Sequence, residues 1–148
     1  MSWDTLTITR ALLDSMEGET LRNYNAVSIL GISESDDERL SFAKRNLKLT
    51  LLEAGSALIA DGTYTSAAFL DALVVADTDD LLETMLAYNF LYLLFQDSAI
   101  NTRGRGQQKY EFYYLEFQKG VQMAVRVLMS KLTPPKQARA RRFVGVFG

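Results

Sequence analysis

The sequence predicts a small all-α domain, a bundle of four or five helices over residues 1–132, followed by an extended C-terminal arm over 133–148. The only prolines are Pro134 and Pro135, so the body lacks the residue that costs a helix interior about 3 kcal/mol. Apolar residues recur at steps of three and four, which is the helical period. At 148 residues and 48% apolar composition, the chain can bury one core.

The clearest predicted helix begins near Ser35 and ends before Gly62. Ser35 and Glu38 have capping-box spacing, and the acids between them favour the positive end of the helix dipole. One apolar stripe follows, formed by Leu40, Ala43, Leu47, Leu51, Ala54 and Leu58. Four residues off this stripe are expected to widen the buried face: Phe42, Leu49, Leu52 and Ile59.

Three more helices are predicted downstream. A short one covers about 66–75, the next starts at the acidic run 77–80 and extends to about Gln96, and the last follows a polar loop over 101–107. The second of these is apolar almost all round, which predicts a central, buried helix.

The first thirty residues carry weaker patterns. Residues 6–16 predict a short amphipathic helix, and 23–32 read either as an extended segment or as a loop. We expect no targeting signal at the N-terminus, because residues 1–16 lack an apolar segment. No stretch approaches the roughly 20 apolar residues that a membrane span requires.

Composition argues against an enzyme. The chain has neither cysteine nor histidine, which excludes thiolate nucleophiles, Cys-ligated metals and every Ser–His relay. We therefore expect no catalytic residues, cofactor or metal. The carboxylates Asp77, Asp79, Asp80 and Glu83 lack the glycine and alternating ligands of a calcium loop, and helix capping explains them better.

Two other segments have alternative interpretations. The first is a glycine-rich segment, Arg103-Gly104-Arg105-Gly106. It lacks the lysine of a phosphate-binding loop, which favours an interhelical loop. Arg103 and Arg105 could still contact DNA or an acidic neighbour. Five aromatic residues within 110–117 exceed what one helix face can bury. Phe112 and Tyr114 lie off the shared face, which favours a contact between subunits over a broader core.

The charges are unevenly distributed. All 18 acidic and twelve of the 16 basic residues lie in 1–132, leaving the body six charges negative, whereas the last sixteen residues carry four positive charges and no acid. The arm contains three arginines, Arg139, Arg141 and Arg142. They are followed by the apolar segment Phe143-Val144-Gly145-Val146-Phe147. A frayed end is the default for a terminus. The β-prone apolar segment beside the arginines instead favours a docking arm that adds as a strand to a partner.

The order of these features resembles the head–tail connector, or adaptor, proteins of tailed bacteriophages. The resemblance covers about 35–132: an acid-capped helix to the break Ala60-Asp61-Gly62-Thr63-Tyr64, a short helix, the buried helix with Leu86–Leu94, a polar loop, and a last helix opening Lys109-Tyr110-Glu111. Such adaptors are small helical proteins that form a ring, typically of twelve subunits, beneath the portal.

The resemblance implies a structural virion protein in the neck, assembled in the host cytoplasm. Its partners would be copies of itself, the portal, a tail-side stopper or tail protein, and genomic DNA passing through without specific binding, with no membrane or small-molecule substrate. In this interpretation Arg139, Arg141, Arg142 and 143–147 dock on the portal. The alternative is a small helical DNA-binding or regulatory module that uses its basic tail, although no basic recognition helix is visible.

Overall fold

The computed structural model describes residues 2–23, 34–96 and 105–132, and this part of the chain is all-α, as the sequence predicts. A 3-10 turn at Trp3–Thr5 precedes six helices: α1 (Arg10–Asn23), α2 (Glu34–Ala54), α3 (Ser56–Ala60), α4 (Ser66–Ala76), α5 (Leu81–Phe95) and α6 (Arg105–Leu132). The C-terminal arm and most of 23–32 lie outside the described residues.

The long helix predicted from Ser35 to Gly62 is interrupted, which corrects the sequence-based boundary. α2 ends at Ala54 and the five-residue α3 follows Gly55. The Phe69 ring occupies the space that a Cβ atom at position 55 would need, so only glycine fits at this break, where α4 packs against it. Gly62, with φ of +84°, then ends the pair in the left-handed conformation that glycine adopts without strain.

The buried face of α2 is narrower than predicted. Ala43, Leu47 and Leu51 are buried as the stripe requires, but Phe42 is 52% exposed and Leu49 is 56% exposed. These two residues are seven positions apart and therefore share one helix face, away from the stripe. The expectation that they widen the core was wrong, because no neighbouring helix in the described part of the chain covers that face.

α5 is the centre of the bundle, as its composition predicts. Its buried residues occur on all sides: Leu82, Met85, Leu86, Ala87, Asn89, Phe90, Leu91, Leu94 and Phe95. α6 runs antiparallel along it, since Phe95 stacks on Tyr113 with ring centroids 6.0 Å apart and Met85 meets Gly120 further along. α2 packs on another side of α5.

The N-terminal segment is hydrogen-bonded to α2 and α4. Lys44 on α2 donates hydrogen bonds to the carbonyl oxygens of Asp4 and Leu6, and its ammonium lies 5.7 Å from the centre of the Trp3 ring. The Trp3 amide donates to the Asp71 carboxylate on α4 at 2.8 Å. Burial lowers the pKa of Lys44, and the nearby Asp4 carboxylate partly offsets this.

No helix in the described ranges is both long enough and apolar enough to cross a membrane.

Candidate functional site

A groove between α2 and α6 is a large, open concave surface of the bundle. It encloses about 680 Å³ and has α5 as its floor, because α2 and α6 pack on α5 with few contacts to each other. The lining residues are Asn46, Leu49, Thr50, Asn89, Tyr92, Tyr114, Phe117, Gln118, Val121 and Gln122. We refer to this surface as the groove.

The groove is polar but uncharged. Its described lining combines amide and hydroxyl groups with aromatic and aliphatic side chains and includes no ionised residue. Asn89 in the floor is only 5% exposed, and its Oδ1 accepts a hydrogen bond from Asn46 Nδ2 at 3.1 Å. A buried amide without a partner costs about 1–3 kcal/mol, so this bond holds Asn46 against the floor.

One end of the groove is aromatic. The ring of Tyr92 lies 5.8 Å from that of Tyr110 and 5.1 Å from that of Tyr114. Gln96 donates to the Tyr92 hydroxyl, and Gln118 donates to the Tyr114 hydroxyl, each at 2.9 Å and four residues along the same helix. These contacts fix the Tyr114 ring on the groove wall while leaving it 44% exposed.

The second uncovered surface is the side of α6 that faces away from the bundle. Phe112, Leu115 and Met123 are each at least half exposed on this side. They lie opposite the buried stripe of the same helix, formed by Tyr113, Phe117, Val121, Ala124 and Leu128. Lys119 and Arg126 are exposed among them. We refer to this surface as the outer α6 face.

The structure separates the two aromatic residues that the sequence grouped. Phe112 is 54% exposed and belongs to the outer α6 face, whereas Tyr114 belongs to the groove wall. Two residues apart on a helix, they are about 200° apart around its axis. Within the described part of the chain neither is covered, and each lies on a different surface.

The remaining predicted contact residues fall outside the described side chains. Arg105 is the first residue of α6, where only the backbone is described, and Arg103 lies outside the described residues. So do all seven residues of the predicted docking arm: Arg139, Arg141, Arg142, Phe143, Val144, Val146 and Phe147.

Of the acids before α5, Asp80 occupies the N-cap position without a side-chain hydrogen bond to the helix, whereas Asp77 caps the helix as predicted. The Asp77 carboxylate accepts hydrogen bonds from the amides of Leu81 and Leu82, both at 2.8 Å. Glu83 instead accepts from the amide and hydroxyl of Thr9 and ties the N-terminal segment to α5. Where side chains are described, no three Asp, Glu, His or Cys residues are grouped as metal ligands would be.

Sequence reasoning missed Leu49, Leu115 and Met123. The helical period does hold the necessary information for α6, since Leu115 and Met123 lie on the side opposite the predicted buried stripe. For Leu49 the period alone was ambiguous, because a second packed helix would have buried it.

Comparisons of the chain with protein-family models, with curated proteins and with solved structures found no match.

Proposed function

We propose that this chain is a structural virion protein, a head–tail adaptor subunit of a tailed bacteriophage. Copies of it form a ring, of about twelve subunits by the family's pattern, that joins the portal to a tail-side stopper or tail protein and lets genomic DNA pass. The role is structural rather than catalytic and uses no cofactor. The protein resides in the neck of the virion after assembly in the host cytoplasm.

The outer α6 face carries this proposal. Phe112, Leu115 and Met123 expose apolar side chains on a helix whose opposite side already forms the core. Exposed apolar patches of this kind are typical of protein interfaces. A neighbouring copy that covers them removes this area from water at about 25 cal/mol per Å².

Two different uncovered surfaces favour a ring over a two-fold dimer. A two-fold contact pairs one patch with itself, whereas a ring pairs a patch on one subunit with a different patch on the next. The outer α6 face is convex and the groove is concave. We therefore assign Phe112 and Tyr114 to the two opposite sides of one repeating subunit contact.

The arm and the charges complete the proposed mechanism. Arg139, Arg141 and Arg142 attach to acidic portal surface, and the segment 143–147 adds to the portal as a strand. Repetition around the ring multiplies a weak individual contact. Arg103 and Arg105 contact the DNA channel or a neighbouring subunit, and the net negative body limits retention of passing DNA.

The test is ring formation on the portal. The full chain is mixed with the portal oligomer of the same virion and imaged by negative-stain electron microscopy, with occupancy measured by co-sedimentation. We expect Phe112→Glu to lower ring occupancy at least tenfold, because burial of an unpaired carboxylate costs several kcal/mol. Val75→Glu is the matched control, since Val75 on α4 is 66% exposed and belongs to neither surface. Equal occupancy for both variants contradicts the proposed contact.

The uneven charge supports one alternative, a DNA-binding module that acts through the basic tail. It predicts that the chain retards labelled DNA at 150 mM salt and ignores the portal. Its affinity would fall steeply with salt, with a slope of about −0.9 per neutralised phosphate. The adaptor predicts portal binding and no retarded DNA under the same conditions.

A further inference from the structure

The groove of a single subunit lacks an occupant within the described part of the chain. Leu49 on one wall and Tyr114 on the other are about half exposed, above a floor that contains the buried Asn89 and Phe117. This arrangement presents apolar walls to water with hydrogen-bonding groups between them. An occupant of the groove must therefore supply both apolar surface and hydrogen-bonding groups.

The lining also fits an extended peptide. A helix satisfies its own backbone groups, whereas an extended segment presents N–H and C=O groups that need partners. The side-chain amides of Asn46, Gln118 and Gln122 both donate and accept hydrogen bonds and can supply such partners. Because the described lining has no charge, the matching segment is itself uncharged.

The last six residues of this chain have the required chemistry. The segment 143–148, Phe-Val-Gly-Val-Phe-Gly, has no charged side chain and no proline. In an extended conformation alternate residues share a face, so Phe143, Gly145 and Phe147 can pack against the wall that contains Tyr114 while Val144 and Val146 face the wall that contains Leu49. Left exposed, a short β-prone segment of low charge is an aggregation hazard.

The arm is long enough to reach the groove of its own subunit. α6 ends at Leu132, and Gln122 in the groove wall lies ten residues earlier, about 15 Å back along the helix. The ten residues 133–142 span up to roughly 33 Å when extended. A tether of this length gives an effective concentration in the millimolar range, far above that of a second subunit in dilute solution.

We propose that, in the free subunit, the segment 143–147 binds in extended form in the groove of its own chain. The groove is then the resting site of the docking arm, and Tyr114 is hidden from other subunits until a partner withdraws the segment. The consequence for assembly, that ring contacts form after the arm has moved to the portal, rests on the proposed function; the contact itself does not.

The absence of cysteine from the chain allows a direct test by disulfide cross-linking. The double variant L49C/V146C places one thiol on the groove wall and one in the segment. The control V75C/V146C uses a site of similar exposure. It lies close to the root of the arm, because Lys131 donates to the carbonyl oxygen of the adjacent Ala76 at 3.1 Å. A randomly moving arm therefore reaches position 75 at least as readily as position 49.

The full-length variants are oxidised gently at low concentration without portal and resolved on non-reducing gels. We expect L49C/V146C to form an intramolecular disulfide at least tenfold faster than the control. Equal rates, or disulfide-linked dimers as the main product of L49C/V146C, overturn the proposal. Circular dichroism of the reduced proteins verifies that both variants are folded. Since no portal is present, failure here is distinct from failure of the adaptor role.

Discussion

Tyr113 joins two parts of the chain that are 96 residues apart. Its hydroxyl donates a hydrogen bond to the Glu17 carboxylate, at the point where the backbone of α1 leaves helical geometry. Burial, the hydrogen bond and the charge of Glu17 together raise the pKa of Tyr113 above its ordinary value of 10.0. The phenol therefore stays protonated in the folded protein at pH values where it ionises in the unfolded chain.

We expect Tyr113→Phe to lower the free energy of unfolding by about 1.5 kcal/mol at pH 8, the contribution of a hydrogen bond to a charged partner. Because the folded pKa is the higher one, this contribution is complete below pH 10 and declines above it. One pH unit corresponds to about 1.4 kcal/mol, so wild type and variant should converge near pH 11. Urea denaturation at several pH values measures the difference. A gap that stays constant to pH 11 contradicts the assignment.

The glycine at the break between α2 and α3 is required by the packing of α4 against this point, not by its own backbone conformation. Gly55 has φ of −93°, which alanine also adopts, so conformation alone does not require glycine there. The requirement comes from Phe69 on α4, which is fully buried and whose ring lies where a Cβ atom at position 55 would be.

We expect Gly55→Ala to lower the free energy of unfolding by about 1–3 kcal/mol, the usual cost of overpacking a core. The midpoint of urea denaturation should fall while its slope stays constant. In a Phe69→Leu background the shorter side chain relieves the clash, and the same substitution should cost less. Additive effects of the two changes would show that Phe69 does not impose the requirement for glycine at position 55.

The elements also show which parts of the fold the sequence predicts. α5 was predictable because apolar residues on all sides of a helix have no other stable location in water. The end of α2 was not, since Gly55 fits a helical pattern and the approach of Phe69 that requires glycine there is a tertiary contact. Leu47 and Leu49 are chemically identical, and which of them is buried depends on where α5 packs.

The candidate surfaces, like the fold, were only partly predictable from the sequence. The excess of aromatic residues in 110–117 correctly indicated that Phe112 and Tyr114 lie off the buried face. It could not indicate the groove, because Asn46 and Gln118 come together only after α2 and α6 have packed on α5. Such a surface depends on tertiary contacts between distant segments and leaves no local pattern.

At the scale of the whole molecule, the proposed adaptor role separates a folded body from an attachment arm. We expect deletion of 136–148 to leave the helical circular dichroism spectrum unchanged, because the six helices of the described residues all lie before position 133. Attachment to the portal should be lost, since the deletion removes all three arginines and the apolar segment. Co-sedimentation with the portal measures this, and unchanged attachment refutes the docking arm.

Point variants separate the contribution of the arginines to portal attachment from that of the apolar segment. A triple Arg139→Ala, Arg141→Ala, Arg142→Ala variant should weaken portal attachment most at low salt, because screening already reduces those contacts at high salt. Phe143→Asp with Phe147→Asp should weaken it at every salt concentration. The full-length chain is the reference for both measurements.

The last turn of α6 is hydrogen-bonded to the connection between α4 and α5. Lys131 donates to the carbonyl oxygen of Ala76 and to the hydroxyl of Thr78, each at 3.1 Å, in the short connection that leads into α5. A pull applied beyond Leu132 therefore acts on the α4–α5 connection as well as on α6. In the proposed ring, force from packaged DNA on a tethered subunit would reach this connection through Lys131.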